Sequence, residues 1–273
     1  MIPAADAPIG VFDSGLGGLS VVRQLRSELP RESILYAADS RYCPYGERPL
    51  PEICERSLFM TRFLVDQGAK VIIVACNTAS AAAIEMLRER FAIPIIAMEP
   101  AVKPAVALTR SGKIAVLATP STASSQRLRT LIARYGAGYD IRSIGVPGLA
   151  DCVEAGIVDG PRVRKLLDER IREQIADGVD VVVLGCTHYP FALDVIRELT
   201  GSDVRIVDSG NAVARRGRDI LMQAGLLGGI GSKPRLTVHT TGELETVRPV
   251  VERMLGASVS VLAISGTPAM PVT

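Results

Sequence analysis

Two cysteines occupy matching places in the 273-residue sequence. Cys76 follows Val71-Ile72-Ile73-Val74-Ala75 and precedes Asn77 and Thr78. Cys186 follows Val181-Val182-Val183-Leu184-Gly185 and precedes Thr187 and His188. A thiol with a reference pKa of about 8.5 can donate or accept a proton near neutrality with little tuning. One thiol on each side of a substrate carbon could take a proton from one face and supply one to the other, which inverts a stereocentre. A lone cysteine at a strand end is more often buried and inert. Two in matched contexts, each followed by polar residues, favour chemistry.

The surrounding residue types fit that reading. His188 is two residues from Cys186 and could help ionise it. Asp13 and Glu154 are carboxylates at expected loop or helix ends that could assist either thiol. Ser14, Asn77, Thr78, Thr119, Thr122 and Thr187 supply neutral hydrogen-bonding groups suited to carboxylates and an ammonium. Asp13 and Ser14 have an equally good structural reading as a helix cap. The chain holds only two histidines, and His239 sits in an expected strand without a cysteine or carboxylate motif, so it reads as structural. No metal-ligand set is visible, and no lysine stands where a pyridoxal Schiff base would need it. Lys70 and Lys113 precede buried-type strands, at the opposite end from a strand-end crevice.

The elements that must position these groups alternate. Strands are predicted at 9–12, 34–38, 71–75, 93–97, 114–118, 141–146, 181–185, 204–207, 236–240 and 259–262. Helices are predicted from about Leu19 to Pro30, and at about 52–67, 79–91, 124–135, 149–155, 161–175, after Cys186, 211–224 and 245–254. Runs such as Val71–Val74 lack polar alternation, as strands buried on both faces do. The expectation is an α/β fold with mostly parallel sheets, whose ligand crevice lies beyond the carboxyl ends of the strands. The two cysteine units are 110 residues apart (186 − 76), about one domain length. Glu99-Pro100 and Lys103-Pro104 interrupt the pattern and mark a domain crossing. Gly225, Gly228, Gly229 and Gly231 read as a flexible link, and the tail from Ser265 as frayed. The loop Asp13-Ser14-Gly15-Leu16-Gly17-Gly18 has neither Rossmann nor Walker spacing, which argues against a phosphate cradle.

Composition narrows the class. Net charge is +2 with acids and bases interspersed, so nothing favours a nucleic-acid or membrane partner. Arg215, Arg216 and Arg218 read as a solvated helix face. Five cysteines with irregular spacing and no Cys-x-x-Cys pair argue against a disulfide framework or zinc site. The N-terminal residues lack the pattern of a secretory signal, and no apolar run is long enough to span a bilayer. A cytoplasmic location is expected, where free thiols survive.

Four motifs carry a resemblance. Asp13-Ser14-Gly15-Leu16-Gly17-Gly18, Cys43-Pro44-Tyr45-Gly46, Ala75-Cys76-Asn77-Thr78 and Gly185-Cys186-Thr187-His188-Tyr189-Pro190 resemble the signatures of the glutamate racemases, cofactor-independent members of the aspartate/glutamate racemase superfamily. The match runs in order from about residue 9 to 210. The resemblance implies two pseudo-twofold-related α/β domains around a cleft, the last segment returning to the first domain. On this reading residues 1–97 plus 208–273 carry Cys76, and 98–207 carry Cys186. It implies that Cys76 takes the α-proton of D-glutamate and Cys186 that of L-glutamate. Asp13 would assist the first thiol and His188 the second, with Glu154 as a further assisting carboxylate. Asp13, Ser14, Tyr45, Gly46, Asn77, Thr78, Thr119, Thr122, Thr187 and His188 would contact glutamate, Tyr45 and Gly46 through backbone. It implies no cofactor, no metal, a role in supplying D-glutamate to peptidoglycan and so to cell-wall shape, and compatibility with a homodimer. Two positions depart from the family pattern. Ala118-Thr119 stands where a Gly-Thr pair is usual, and Gln126-Arg127-Leu128 lacks an expected tyrosine. The competing readings are an aspartate racemase, a Cys186–His188 hydrolase or transferase, and a non-catalytic amino-acid-binding protein.

Overall fold

The computed structural model describes residues 4–228 and 233–265. The first run is β1 (Ile9–Asp13), α1 (Leu19–Glu28), β2 (Ile34–Ala38), α2 (Leu50–Asp66), β3 (Val71–Val74), α3 (Asn77–Arg90) and β4 (Ile95–Ala97). Next come α4 (Val102–Leu108), β5 (Lys113–Ala118), α5 (Pro120–Ala123), α6 (Gln126–Tyr135), β6 (Asp140–Gly145), α7 (Leu149–Glu154), α8 (Pro161–Ala176), β7 (Val181–Leu184), α9 (Leu193–Thr200) and β8 (Arg205–Val207). The chain closes with α10 (Gly210–Gln223), β9 (Leu236–Thr240), α11 (Leu244–Leu255) and β10 (Ser260–Ala263).

The strands form two sheets, and every described pairing is parallel. The larger has six strands in the order β10-β9-β2-β1-β3-β4, the smaller four in the order β6-β5-β7-β8. The last two strands therefore extend the first sheet rather than the second. Central strands are covered on both faces, as parallel strands fed by crossover helices must be. Alternation divides their side chains between two cores. Ile9, Val11, Val71 and Ile73 join one cluster, and Phe12, Ile72 and Val74 the other. In the smaller sheet Ala115, Leu117, Val182 and Leu184 face one way, and Ile114, Val116, Val181 and Val183 the other.

Local departures from the sequence expectation have physical causes. Helix α3 starts at Asn77, two residues early, because Cys76 is its N-cap and Sγ accepts from the Ala79 N–H at 3.4 Å. The helix expected at 124–135 starts at Gln126, and a short helix absent from the sequence expectation precedes it. Thr119 caps α5, with Pro120 in its first turn, and Ser125 recaps the chain as α6, accepting from Leu128 N–H at 3.1 Å. Lys103-Pro104 does not break the chain: Pro104 lies in the first turn of α4, where its missing N–H costs nothing. The chain after Cys186 first makes a 3-10 turn over Tyr189–Ala192 and only then α9. Pro94 precedes the edge strand β4, consistent with its lacking a donor. The glycine-rich link falls partly outside the described residues, as does the tail beyond Ser265.

Candidate active site

Register brings the polar loops to one end of each sheet. Phe12 of β1 pairs with Val74 of β3, and Asp13 with Ala38 of β2. The Asp13 loop and the Cys76 turn therefore emerge side by side. Leu117 of β5 pairs with Leu184 of β7, so Thr119 and Cys186 emerge together from the other sheet. The two ends face each other. Ser14, Tyr45, Gly46, Cys76, Asn77, Thr78, Thr119, Cys186, Thr187 and His188 all line one cavity, closed to about 10 Å³. That is room for roughly one water molecule. The side chain of Asn77 is buried, and neither its Oδ1 nor its Nδ2 has a partner among the described residues. A buried amide left unpaired costs free energy comparable to a lost hydrogen bond, which a polar ligand would recover.

Three predicted residues stand behind this lining. Asp13 is fully buried; its carboxylate accepts from the N–H groups of Ser14 at 2.8 Å and Gly18 at 2.7 Å and from the Thr187 hydroxyl at 3.3 Å. Thr122 bonds Thr78 at 3.0 Å and Thr119 at 3.1 Å, closing a triangle of hydroxyls. Glu154, at the end of α7, reaches His188 Nε2 at 2.6 Å and accepts from Leu16 N–H at 2.5 Å. His188 Nδ1 in turn lies 3.6 Å from Cys186 Sγ. The result is a chain Glu154–His188–Cys186. Its approach to the Asp13 loop requires glycine: a Cβ on Gly17 would collide with the His188 ring, and one on Gly15 would stand 2.7 Å from Cys43 Sγ. The N–H groups of Ser14 and Gly18 are thus taken by Asp13 and that of Leu16 by Glu154, while Gly17 N lies 3.3 Å from His188 Nε2, an arrangement that turns the loop inward rather than into a phosphate cradle.

Electrostatics separate the two thiols. Burial, reinforced by the Asp13 carboxylate, pushes Cys76 up to about 12, so it rests as the neutral thiol. Its remaining contacts are the Ala79 N–H and the Ser14 hydroxyl at 3.7 Å. Burial also raises Asp13, against the lowering effect of His188, while Glu154 raises it further. Burial opposes charging His188, but hydrogen bonds to Cys186, Cys43 and Glu154 hold its pKa well above the ordinary value.

Sequence reasoning missed the network that fixes Tyr45. Asp39, just past β2, is fully buried and receives the Arg56 guanidinium through two bonds of 2.8 Å. Tyr45 Oη donates to the same carboxylate at 2.6 Å. The tyrosine hydroxyl is thereby engaged away from the cavity. The signal was present: Arg56 interrupts the apolar stripe of Ile53, Met60 and Leu64 on α2. Cys43 was also not singled out. Its Sγ lies within 4.8 Å of ligand atoms of both Glu154 and His188. His239, by contrast, packs its ring 5.2 Å from Phe63, far in sequence from any of these groups. Lys70, fully buried, pairs with Glu32 at 2.5 Å and binds two backbone carbonyls, which accounts for it structurally.

Two parallel sheets meet at paired thiols, and comparison with known proteins identifies the class as a racemase family. The family model described as Asp/Glu/Hydantoin racemase matches residues 9–217, and the chain belongs to that family. Within it the similarity is to glutamate racemases. The glutamate racemase of Ectopseudomonas mendocina is 43% identical over 260 residues, covering 94% of this chain and 98% of that protein. The structure of the Francisella tularensis glutamate racemase in complex with D-glutamate superposes with a TM-score of 0.84 at 31% identity, covering 96% of this chain and 98% of the other. That of the Escherichia coli enzyme, in complex with L-glutamate and the activator UDP-MurNAc-ala, gives 0.84 at 30% identity, with 95% and 98% covered.

Proposed function

We propose that the protein is a glutamate racemase that works by two thiols. The observation that carries the reading is that Cys76 and Cys186, delivered by two different sheets, line a single closed cavity with the unpaired Asn77 amide. Related enzymes bound to D-glutamate and to L-glutamate support the substrate. One thiolate removes the α-proton, and the thiol opposite gives its proton to the other face of the carbanion. Cys76 acts on D-glutamate and Cys186 on L-glutamate. Cys76, held as a thiol, is poised as the donor for conversion of L- to D-glutamate; it becomes the base only when the substrate ammonium and loss of its proton favour the thiolate. Asp13 serves the Cys76 side from behind. His188, backed by Glu154, receives the proton of Cys186. Asn77, Thr78, Thr119 and Thr187 hold the substrate's charged ends, with Ser14 and the backbone of Tyr45 and Gly46 completing the rim, while Thr122 orients Thr78. The cavity is too small for glutamate, so the two sheets part on entry and close on the ligand. We assign residues 1–97 with 208–273 to one of the moving bodies and 98–207 to the other.

The product would feed peptidoglycan synthesis. The muramic-acid nucleotide that activates the Escherichia coli relative supports this role. An aspartate racemase would use the same thiols, and comparing turnover of the two acids separates the cases. The test is incubation with L-glutamate in D2O without added cofactor, following the α-proton by NMR and the optical sign by circular dichroism. Exchange of the α-proton together with decay of the optical signal to zero is expected. Retention of the α-proton and of the L-signal overturns the proposal.

A further inference from the structure

Behind His188, on the side away from the thiol cavity, stands a second set of groups. Cys43 Sγ, a Glu154 carboxylate oxygen and a His188 ring nitrogen all lie within 4.8 Å of one another. They come from three separate segments: the loop after β2, the end of α7, and the turn after β7. Cys43 and Glu154 line a distinct cavity of about 500 Å³, bordered by Leu16, Ser40, Arg41 and Asp151. Cys43 and Glu154 are therefore reachable from outside without passing the thiol cavity, and the buried His188 ring stands directly behind Glu154.

We propose that Cys43, Glu154 and His188 form an inhibitory site for a thiophilic divalent cation of the zinc type. Sulfur, imidazole nitrogen and carboxylate oxygen are the three ligand types zinc takes, and three protein ligands with one open position make a complete tetrahedral set. Zinc–ligand bonds of about 2.0–2.3 Å demand ligand atoms roughly 3.3–3.8 Å apart. The present spread needs only modest adjustment: Cys43 draws in, and the 2.6 Å contact between Glu154 and His188 opens as the shared proton leaves. Charge favours the cation. A thiolate, a carboxylate and a neutral imidazole sum to two negative charges, which a divalent ion cancels in a poorly hydrated place. Binding releases the Cys43 thiol proton and the proton shared by His188 Nε2 and Glu154 to solvent, so the ring binds the metal as a neutral imidazole with its proton on Nδ1. The metal then occupies the nitrogen that Glu154 now holds. With the metal on Nε2, Nδ1, 3.6 Å from Cys186, keeps its proton, and Glu154, drawn onto the metal, no longer backs the ring, so the relay cannot carry that thiol's proton. Metal on one side of the ring thus silences the thiol on the other.

The inhibition rests on the racemase reading above; the cation site itself does not, and the experiment keeps the two apart. Chelator-stripped protein is titrated with Co²⁺ as a spectroscopic probe, and with Zn²⁺ while racemisation is followed. One equivalent of Co²⁺ is expected to give a thiolate-to-metal absorption band with tetrahedral visible bands. Zn²⁺ is expected to inhibit, with full reversal by EDTA. Cys43→Ala, and Cys43→Ser as a second variant, should lose the cobalt thiolate band and, each measured against its own metal-free rate, raise the inhibiting Zn²⁺ concentration at least tenfold. The double variant Cys76→Ala with Cys186→Ala should keep the band. A band that survives in both Cys43 variants, that vanishes in the double variant, or that never forms overturns the site. A protein that binds cobalt through Cys43 yet racemises nothing would overturn the racemase reading and leave the site standing.

Discussion

The two strand ends that carry Cys76 and Cys186 look alike in sequence and are built differently. Each follows four buried apolar residues of a central parallel strand. Beyond that the parallel ends. Cys76 caps the 14-residue helix α3 and meets only an N–H and a hydroxyl, with the Asp13 carboxylate as its charged neighbour. Cys186 enters a 3-10 turn and faces an imidazole backed by Glu154. One side therefore holds its proton firmly on sulfur; the other has a relay that can take the proton away. A reaction that runs in both directions needs a donor and an acceptor in each half-step, and unlike supports meet that need better than identical ones.

The largest expected effect tests whether the two sides are equal in necessity despite being unequal in construction. Cys76→Ser and Cys186→Ser should each reduce racemisation by about 10³-fold or more, the scale of losing a positioned acid or base. Circular dichroism started from either enantiomer measures it. A variant retaining near-normal turnover would show that one thiol is dispensable and would favour a one-thiol hydrolase chemistry.

A smaller effect isolates the relay. His188→Asn should lower kcat/KM by about 10²-fold, and Glu154→Gln by less, because it acts through the imidazole. Enantiomers have an equilibrium constant of one, so kcat/KM must fall equally in both directions. The asymmetry appears in the α-deuterium isotope effect: it should grow for deuterated L-glutamate and shrink for deuterated D-glutamate, since transfer at Cys186 becomes the slow step in both directions. An isotope effect that grows for the D-substrate instead would place His188 on the other thiol.

Much of this arrangement was legible in the sequence because it is written in short range. The β-branched runs before the thiols, Pro51 and Pro161 at helix starts, and the Asp13 and Cys76 loops each announce themselves within a dozen residues. The return of the last segment to the first domain came only through the resemblance, and the strand order, with β9 beside β2, was not legible at all, because parallel pairing is a contact between distant segments. The same limit hid the Asp39–Arg56–Tyr45 network and the nearness of Cys43 to Glu154, 111 positions apart (154 − 43). Glu154 could be flagged as a carboxylate at a helix end, but only tertiary structure aims it at His188 rather than into the thiol cavity. The short helix α5 ahead of α6 escaped for the opposite reason. Thr119 and Ser125 are both good caps six residues apart, and periodicity alone cannot choose between one helix with a polar start and two.

The smallest effect probes the Cys76 side through its buried carboxylate. Burial raises the pKa of Asp13 in the folded protein above the unfolded value near 3.8. The folded state thus binds the proton more tightly than the unfolded chain does. The stability this contributes is complete below the unfolded pKa and is lost as pH rises through the folded one. At neutral pH the ionised carboxylate is a cost to the fold, kept for what it does beside Cys76. Asp13→Asn keeps an acceptor for only one of the two N–H groups, since Ser14 bonds Oδ1 and Gly18 bonds Oδ2, but it removes the buried charge, and that relief should still stabilise the protein by about 1 kcal/mol at pH 7–8 while reducing racemisation. The gain should shrink as pH falls through the raised pKa of Asp13, as the carboxylate itself takes up the proton; thermal melts across a pH series measure it. Removing the charge should also let Cys76 ionise more readily, since Asp13 is the second cause of its raised pKa. Alkylation of Cys76 at fixed alkaline pH, located by peptide mass mapping, should then be faster in the variant. A variant that melts lower at neutral pH than the parent, or whose Cys76 alkylates more slowly, would mean that the Asp13 carboxylate supports the loop more than it burdens it. The contrast between an acid-held thiol and a relay-held thiol would then have to be redrawn.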